Sequence, residues 1–151
     1  MKQLINIYVP GDPIPQGQMF ARLRRDGRPY LAPQTSKKWK EWRNKVTVAA
    51  QEALGKQKTT HEKQGYRVSI RFVFGRPPSH LKKDGSLRKG QRNQHLIKPD
   101  IDNLVKAIHD SLTRAGVWGD DCEVVSLVAQ KEYARGMLKA GAYIKIYEDE
   151  T

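Results

Sequence analysis

The sequence contains a single cysteine, Cys122. One thiol closes no internal disulfide and builds no cysteine-based zinc site, so a disulfide scaffold and a zinc module are excluded. No run of 18 or more apolar residues exists, which excludes a transmembrane helix. The first residues, Met1-Lys2-Gln3-Leu4-Ile5-Asn6, carry neither a long apolar region nor a small-residue cleavage site, so no secretory signal is expected. Four histidines, His61, His80, His95 and His109, are scattered without metal-ligand spacing. Acids are also scarce. Only 16 Asp and Glu stand against 28 Lys and Arg in 151 residues, a net charge of +12. These features together point to a reducing cytoplasm and a polyanionic partner, nucleic acid before an acidic membrane. Solubility is the alternative use of the charge, but +12 is well above the ~2–8 that serves a small domain.

The apolar residues that are present fall in periodic runs, enough for one modest core and a single domain over 1–151. Residues 3–9 alternate and are β-branched or aromatic, which predicts a strand ended by Pro10-Gly11-Asp12-Pro13. Residues 18–31 read as a hairpin about the Asp26-Gly27 turn. It sets Arg22, Arg24, Arg25 and Arg28 beside Phe20 and Tyr30. That mixture suits phosphate contact and stacking, or equally a basic edge protected against aggregation. Thr35 or Ser36 is placed to cap a helix over 36–54, which ends at Gly55, with Trp39 and Trp42 as core residues. Residues 55–65 read as a loop, and 66–74 as the clearest strand.

Residues 76–98 carry many cations, one acid (Asp84) and few apolar groups. This composition predicts a long, basic, mobile loop able to close over a phosphate backbone. Helix 102–115 follows, stopped by Gly116. Its apolar face holds Ile101, Leu104, Val105, Ile108, Leu112 and Ala115, and its other face holds Asp102, Lys106, His109 and Thr113. The acids opposite the apolar stripe argue against a membrane-surface helix. Strands over 122–133 and 139–147 complete an α/β fold, a small mixed sheet with two helices packed against it.

The few acids cluster. Asp100, Asp102 and Asp110 lie in and beside one helix, and Asp120-Asp121 follow it, with Glu123 two residues on. Asp102 is placed to cap the helix, which leaves Asp100 and the Asp120-Asp121 pair unexplained by capping. Three carboxylates converging in a basic protein suit a hard divalent cation, and such ions drive phosphodiester hydrolysis. Lys106 shares a helix face with Asp102 and either forms a weak surface pair with it or counters charge on a phosphate. His109 is expected to be a solvated helix histidine, Cys122 a small buried residue and Glu123 a strand-start residue.

The run Lys98-Pro99-Asp100-Ile101-Asp102-Asn103-Leu104-Val105-Lys106-Ala107, continued by Asp110, Leu112, Gly116, Trp118, Asp120 and Asp121, resembles the RusA family of Holliday junction resolvases, often encoded by phages and prophages. The resemblance is strong over the C-terminal half and looser over the N-terminal half. It implies Asp100, Asp102 and Asp121 as metal-binding acids, although Asp120 also matches an acid of the pattern, and Lys106 as the catalytic lysine. It further implies Mg²⁺, with Mn²⁺ possible, and a homodimer that makes two symmetric nicks in four-way junction DNA. A non-catalytic junction binder and a nuclease acting on other DNA structures are the rival readings. No small-molecule substrate or membrane partner is expected. The residues expected to hold DNA are Arg22, Arg24, Arg25, Arg28, Lys82, Lys83, Arg88, Lys89, Arg92 and Lys98.

Overall fold

In the computed structural model, which describes residues 1–17, 19–33, 37–57 and 63–149, the alternating segments become strands and the two 3.6-periodic segments become helices. The elements are β1 (Lys2–Pro10), β2 (Met19–Leu23), β3 (Pro29–Pro33), α1 (Lys37–Leu54), β4 (Gly65–Phe74), α2 (Ile101–Arg114), β5 (Val124–Tyr133) and β6 (Gly141–Asp149). The caps expected at Thr35 and Ser36, and the Phe20 side chain, lie outside the description. A four-stranded sheet runs β1-β6-β4-β5, and β2-β3 form a separate hairpin. The sheet is mixed, because β4 and β5 are parallel while the other neighbours are antiparallel. A parallel pair needs a long crossover, and residues 75–123, including α2, supply it. Gly141 lies where β1, β6 and β4 meet. Its φ of 153° and an added Cβ only 2.4 Å from the Val9 carbonyl oxygen leave room for glycine alone.

Helix α1 packs on β1 and α2, and α2 also meets β5. Between sheet and helices lies one apolar cluster that includes Trp42, Val46, Ile70, Phe72, Leu104, Ile108, Trp118 and Ile144. Each large side chain so buried stabilises the fold by about 1.5–3 kcal/mol. Among the described residues no helix is long and apolar enough to cross a membrane.

Segment 76–98 is more structured than its composition suggests. Lys82–Ser86 form a turn inside a Leu81–Leu87 bridge, and the Arg88 amide donates to the His80 carbonyl at 2.9 Å. Its anchors lie outside the segment. The Tyr133 amide donates to the Asn93 carbonyl at 2.8 Å, and Gln94 bridges to Glu132. The Arg76 guanidinium lies 4.5 Å from the centre of the Tyr133 ring. A reading of local composition misses such anchors because β5 supplies them from more than thirty residues downstream.

Within the segment His95 is the most deeply buried residue, 5% exposed and stacked on Phe74 of β4 with ring centroids 4.0 Å apart. Burial pushes its pKa below the ordinary imidazole value; Lys131 adds to this, while its own backbone hydrogen bond and Asp12 oppose it. The unfolded chain therefore takes up a proton at about pH 6.5, where the folded chain does not. The stability this contributes is complete above that value and declines as pH falls toward the lowered folded pKa. Thermal melts should show this decline below about pH 6.5, and His95→Phe should lessen it, leaving the part that buried His109 contributes in the same direction. An equal slope in the variant would assign the decline to other groups.

Candidate active site

The site is built around the two ends of α2. Asp100 takes the N-cap position with extended backbone, and Asp102 sits in the first turn. This corrects the expectation that Asp102 caps the helix. The chain turns helical at Ile101, one residue earlier than the periodicity implies, so Asp102 acts on the helix only through its charge near the positive end. The Asp100 carboxylate makes no cap bond. Both its oxygens instead accept from Lys98 Nζ at 2.8 Å. Lys131 reaches across from β5 and donates to the Ile97 and Pro99 carbonyls, each at 2.8 Å, which fixes the backbone on which Asp100 stands.

At its C-terminus α2 closes with a Schellman turn. The Gly116 amide donates to Thr113 and the Val117 amide to Leu112, both at 3.1 Å, with Gly116 at φ 81°. The turn buries Val117 and Trp118 and brings the next residues back along the helix. Trp118 Nε1 donates to Thr113 Oγ1 at 2.8 Å, and the His109 ring meets the indole edge-on at 5.7 Å. His109 is thus half-buried against Trp118, not solvated as the helix face alone implies, and burial lowers its pKa.

Asp121–Glu123 form a short 3-10 turn before β5. The Asp120 side chain accepts from the Cys122 amide at 3.0 Å, and Glu123 Oε1 accepts from the Gly119 and Asp120 amides at 3.2 and 3.3 Å. This reciprocal cap corrects the reading of Glu123 as a mere strand-start residue. Cys122 is exposed, not buried, because the 3-10 turn precedes the strand and keeps it out of the sheet. The turn also separates the two adjacent acids by task. Asp120 is occupied with the cap, and the Cys122 amide holds its pKa low. A hydrogen bond with Asp120, then desolvation and like-charge repulsion, raises the pKa of Asp121.

Gln16, Lys106, His109, Asp110, Thr113, Asp120 and Asp121 line one recess of about 360 Å³. Lys106 and Asp121 are therefore brought together, while Asp100 and Asp102 stand apart from the recess lining, toward the N-terminal end of α2. Among the described residues no three acidic, histidine or cysteine side chains lie close enough together to hold a metal ion. The lining nevertheless fits a hard divalent cation in kind. It offers carboxylate, hydroxyl and amide oxygens, and Mg²⁺ often takes only one or two protein carboxylates, with waters and substrate phosphates completing its shell. The pressed Asp120–Asp121 pair is a local excess of negative charge that a cation would relieve.

Sequence reasoning missed Gln16 as a lining residue. Its amide donates to the Asn103 carbonyl at 3.0 Å, a contact across 87 positions with no local signal. Asp110 was visible, one helical turn beyond Lys106. The ten residues expected to hold DNA are all exposed, Arg22, Arg24, Arg25 and Arg28 on the hairpin and the other six on 76–98. Arg24 lies 5.4 Å from the Tyr30 ring centre.

No curated protein matches the sequence. The family model described as endodeoxyribonuclease RusA matches residues 10–147, which takes in α2, the Asp120-Asp121 turn, β4, β5 and most of β6, and the chain belongs to the RusA endodeoxyribonuclease family.

Proposed function

We propose that the chain is a divalent-metal-dependent endonuclease that resolves four-way DNA junctions as a homodimer. The observation that carries this reading is the recess where Lys106 meets Asp110, Asp120 and Asp121 in a chain of net charge +12. Acids gathered beside DNA phosphates repel the substrate unless a cation stands between them. In this reading Asp121 holds Mg²⁺ from the recess, with Mn²⁺ as a substitute, Asp100 and Asp102 close on the same ion only when DNA binds and draws Lys98 off Asp100, and Asp120 shapes the turn that presents Asp121. A bound cation would supply Lewis acidity and a more acidic water for phosphodiester hydrolysis. Lys106 sets a fixed positive charge against the scissile phosphate, where charge grows as the bond breaks.

The hairpin arginines Arg22, Arg24, Arg25 and Arg28 grip the backbone away from the cut. Lys82, Lys83, Arg88, Lys89 and Arg92 do the same from 76–98, whose tip moves to close over the strand. Lys98 exchanges the Asp100 carboxylate for a phosphate and so releases that carboxylate to the metal. A two-fold pair of such sites meets two strands of like polarity, which gives two symmetric nicks.

The test is a synthetic four-way junction beside a matched linear duplex, incubated with Mg²⁺ or with chelator. Paired nicks in the junction alone, and only with Mg²⁺, are the expected result. Tight junction binding without cleavage in either Mg²⁺ or Mn²⁺ would overturn the catalytic reading. Equal cutting of the duplex would overturn the junction preference.

A further inference from the structure

A second and larger recess, of about 720 Å³, lies between segment 76–98 and the turn that joins β5 to β6. Its lining includes Leu81, Leu87 and Leu138 as apolar surface and Arg76, Arg135 and Lys139 as cations, and no acid lines it. An apolar hollow with a cationic border matches a nucleotide, which is a flat apolar base on an anionic backbone. A volume of this size falls within the ordinary range for small-ligand sites.

Arg76 makes the match specific. Its guanidinium is stacked on the Tyr133 ring at 4.5 Å. One Nη donates to the Arg92 carbonyl at 2.9 Å and to Asn93 Oδ1 at 3.1 Å. The other lies 3.4 Å from His80 Nδ1. The plane is therefore fixed before any ligand arrives, and little rotamer entropy remains to be lost on stacking. Arg76 lines the recess whereas Tyr133 does not, so a base entering the hollow meets Arg76 before the ring. Planar arginine is a common surface on which unpaired bases stack. Arg135 is held by Glu132 at 3.0 Å, whereas Lys139, like Arg76, has no acidic partner among the described residues.

We propose that this recess receives one unpaired base of the DNA strand at the branch point, stacked on the Arg76 guanidinium, with Lys139 against its phosphate. The proposal rests on the branched-DNA reading above and adds a means of recognising the branch. A four-way centre has bases that swing out at little cost, whereas a closed duplex must first break a pair and a stack.

The experiment measures chelator-treated full-length protein on four-way junctions in which each branch-point nucleotide in turn is abasic. Stacking on a protein surface is worth about 1–3 kcal/mol per base, so one abasic position should weaken binding about tenfold or more and the others little. Two variants remove the seat. Arg76→Lys keeps the charge and loses the plane, and Ser86→Trp, from an exposed position on the lining, fills the hollow. Both should bind the intact junction about tenfold more weakly and become indifferent to the abasic position. Wild-type protein that ignores every abasic position, or variants that keep the discrimination, would overturn the proposal.

A parallel arm separates this outcome from failure of the branched-DNA reading. Short single-stranded oligothymidylate is compared with an abasic oligomer of equal length. Binding that needs the base and is lost in Arg76→Lys supports the recess even for a protein without junction preference. Base-independent binding there overturns the recess, whatever the junction result.

Discussion

Lys106→Ala should cut the rate of junction cleavage by about 10²–10³, the usual worth of one preorganised charge at a reacting oxyanion, while affinity for the junction hardly changes. Lys106 is exposed and makes no ion pair with Asp102 one helical turn away, so the fold tolerates the change. Alanine is also the better helix former, which guards against loss of α2. The loss belongs in turnover because the negative charge that Lys106 meets grows only as the phosphodiester breaks. Single-turnover cleavage of a labelled junction in Mg²⁺, set beside binding in chelator, makes the measurement. Equal losses in rate and affinity would make Lys106 a ground-state phosphate contact. Lys106→Arg provides a further check. It restores charge but not its compact placement in a 360 Å³ recess, so only partial recovery is expected.

Much of the fold was legible because its signals are local. Strict alternation in 66–74 and the 3.6-residue stripe of α2 each state which face is buried, and the structure buries Val68, Ile70 and Phe72 on one and Leu104, Ile108 and Leu112 on the other. Boundaries were less legible. The 3-10 turn at Asp121–Glu123 is held by a cap whose two halves are ordinary acids, so the strand was expected to start two residues early and Cys122 to be buried. His109 was misplaced for a related reason. Helix geometry puts it on the polar face, but Trp118, returned by the Schellman turn, covers that face from outside the helix. The long basic segment was legible in charge and not in its attachments. His95, Asn93 and Gln94 are polar in sequence and gain their meaning only from Phe74, Tyr133 and Glu132. The site shows the same division. Acids, lysine and spacing can be read along α2, whereas Gln16 and the hold of Lys131 on the Pro99 carbonyl depend on how the chain returns.

Asp100→Asn, Asp102→Asn and Asp121→Asn should each lower cleavage by about three orders of magnitude or more, because each removes charge from the proposed ligand set, whose cation would supply several kcal/mol of transition-state stabilisation. Asparagine keeps the shape and loses the charge that a hard cation requires. None of the three should unfold the protein. The Asp100 side chain makes no cap bond. Asp102 contributes only a charge near the helix start, worth about 0.3–1 kcal/mol, and Asp121 is exposed. Junction affinity in chelator should hold or rise, since a negative charge near phosphates has gone. Asp100→Asn should raise it most, because Lys98 loses its carboxylate partner at 2.8 Å and becomes available to DNA. Asp120→Asn is the discriminating control. Asparagine caps about as well as aspartate, so the Cys122 amide keeps its acceptor and Asp121 stays in position. Its defect should be mild, whereas Asp120→Ala, which removes the cap and lets the turn shift, should be markedly worse. Severe loss in Asp120→Asn with near-normal cleavage in Asp121→Asn would exchange the roles of the pair. Wild-type cleavage by both Asp100→Asn and Asp121→Asn in Mg²⁺ would remove the metal site proposed for this face of α2.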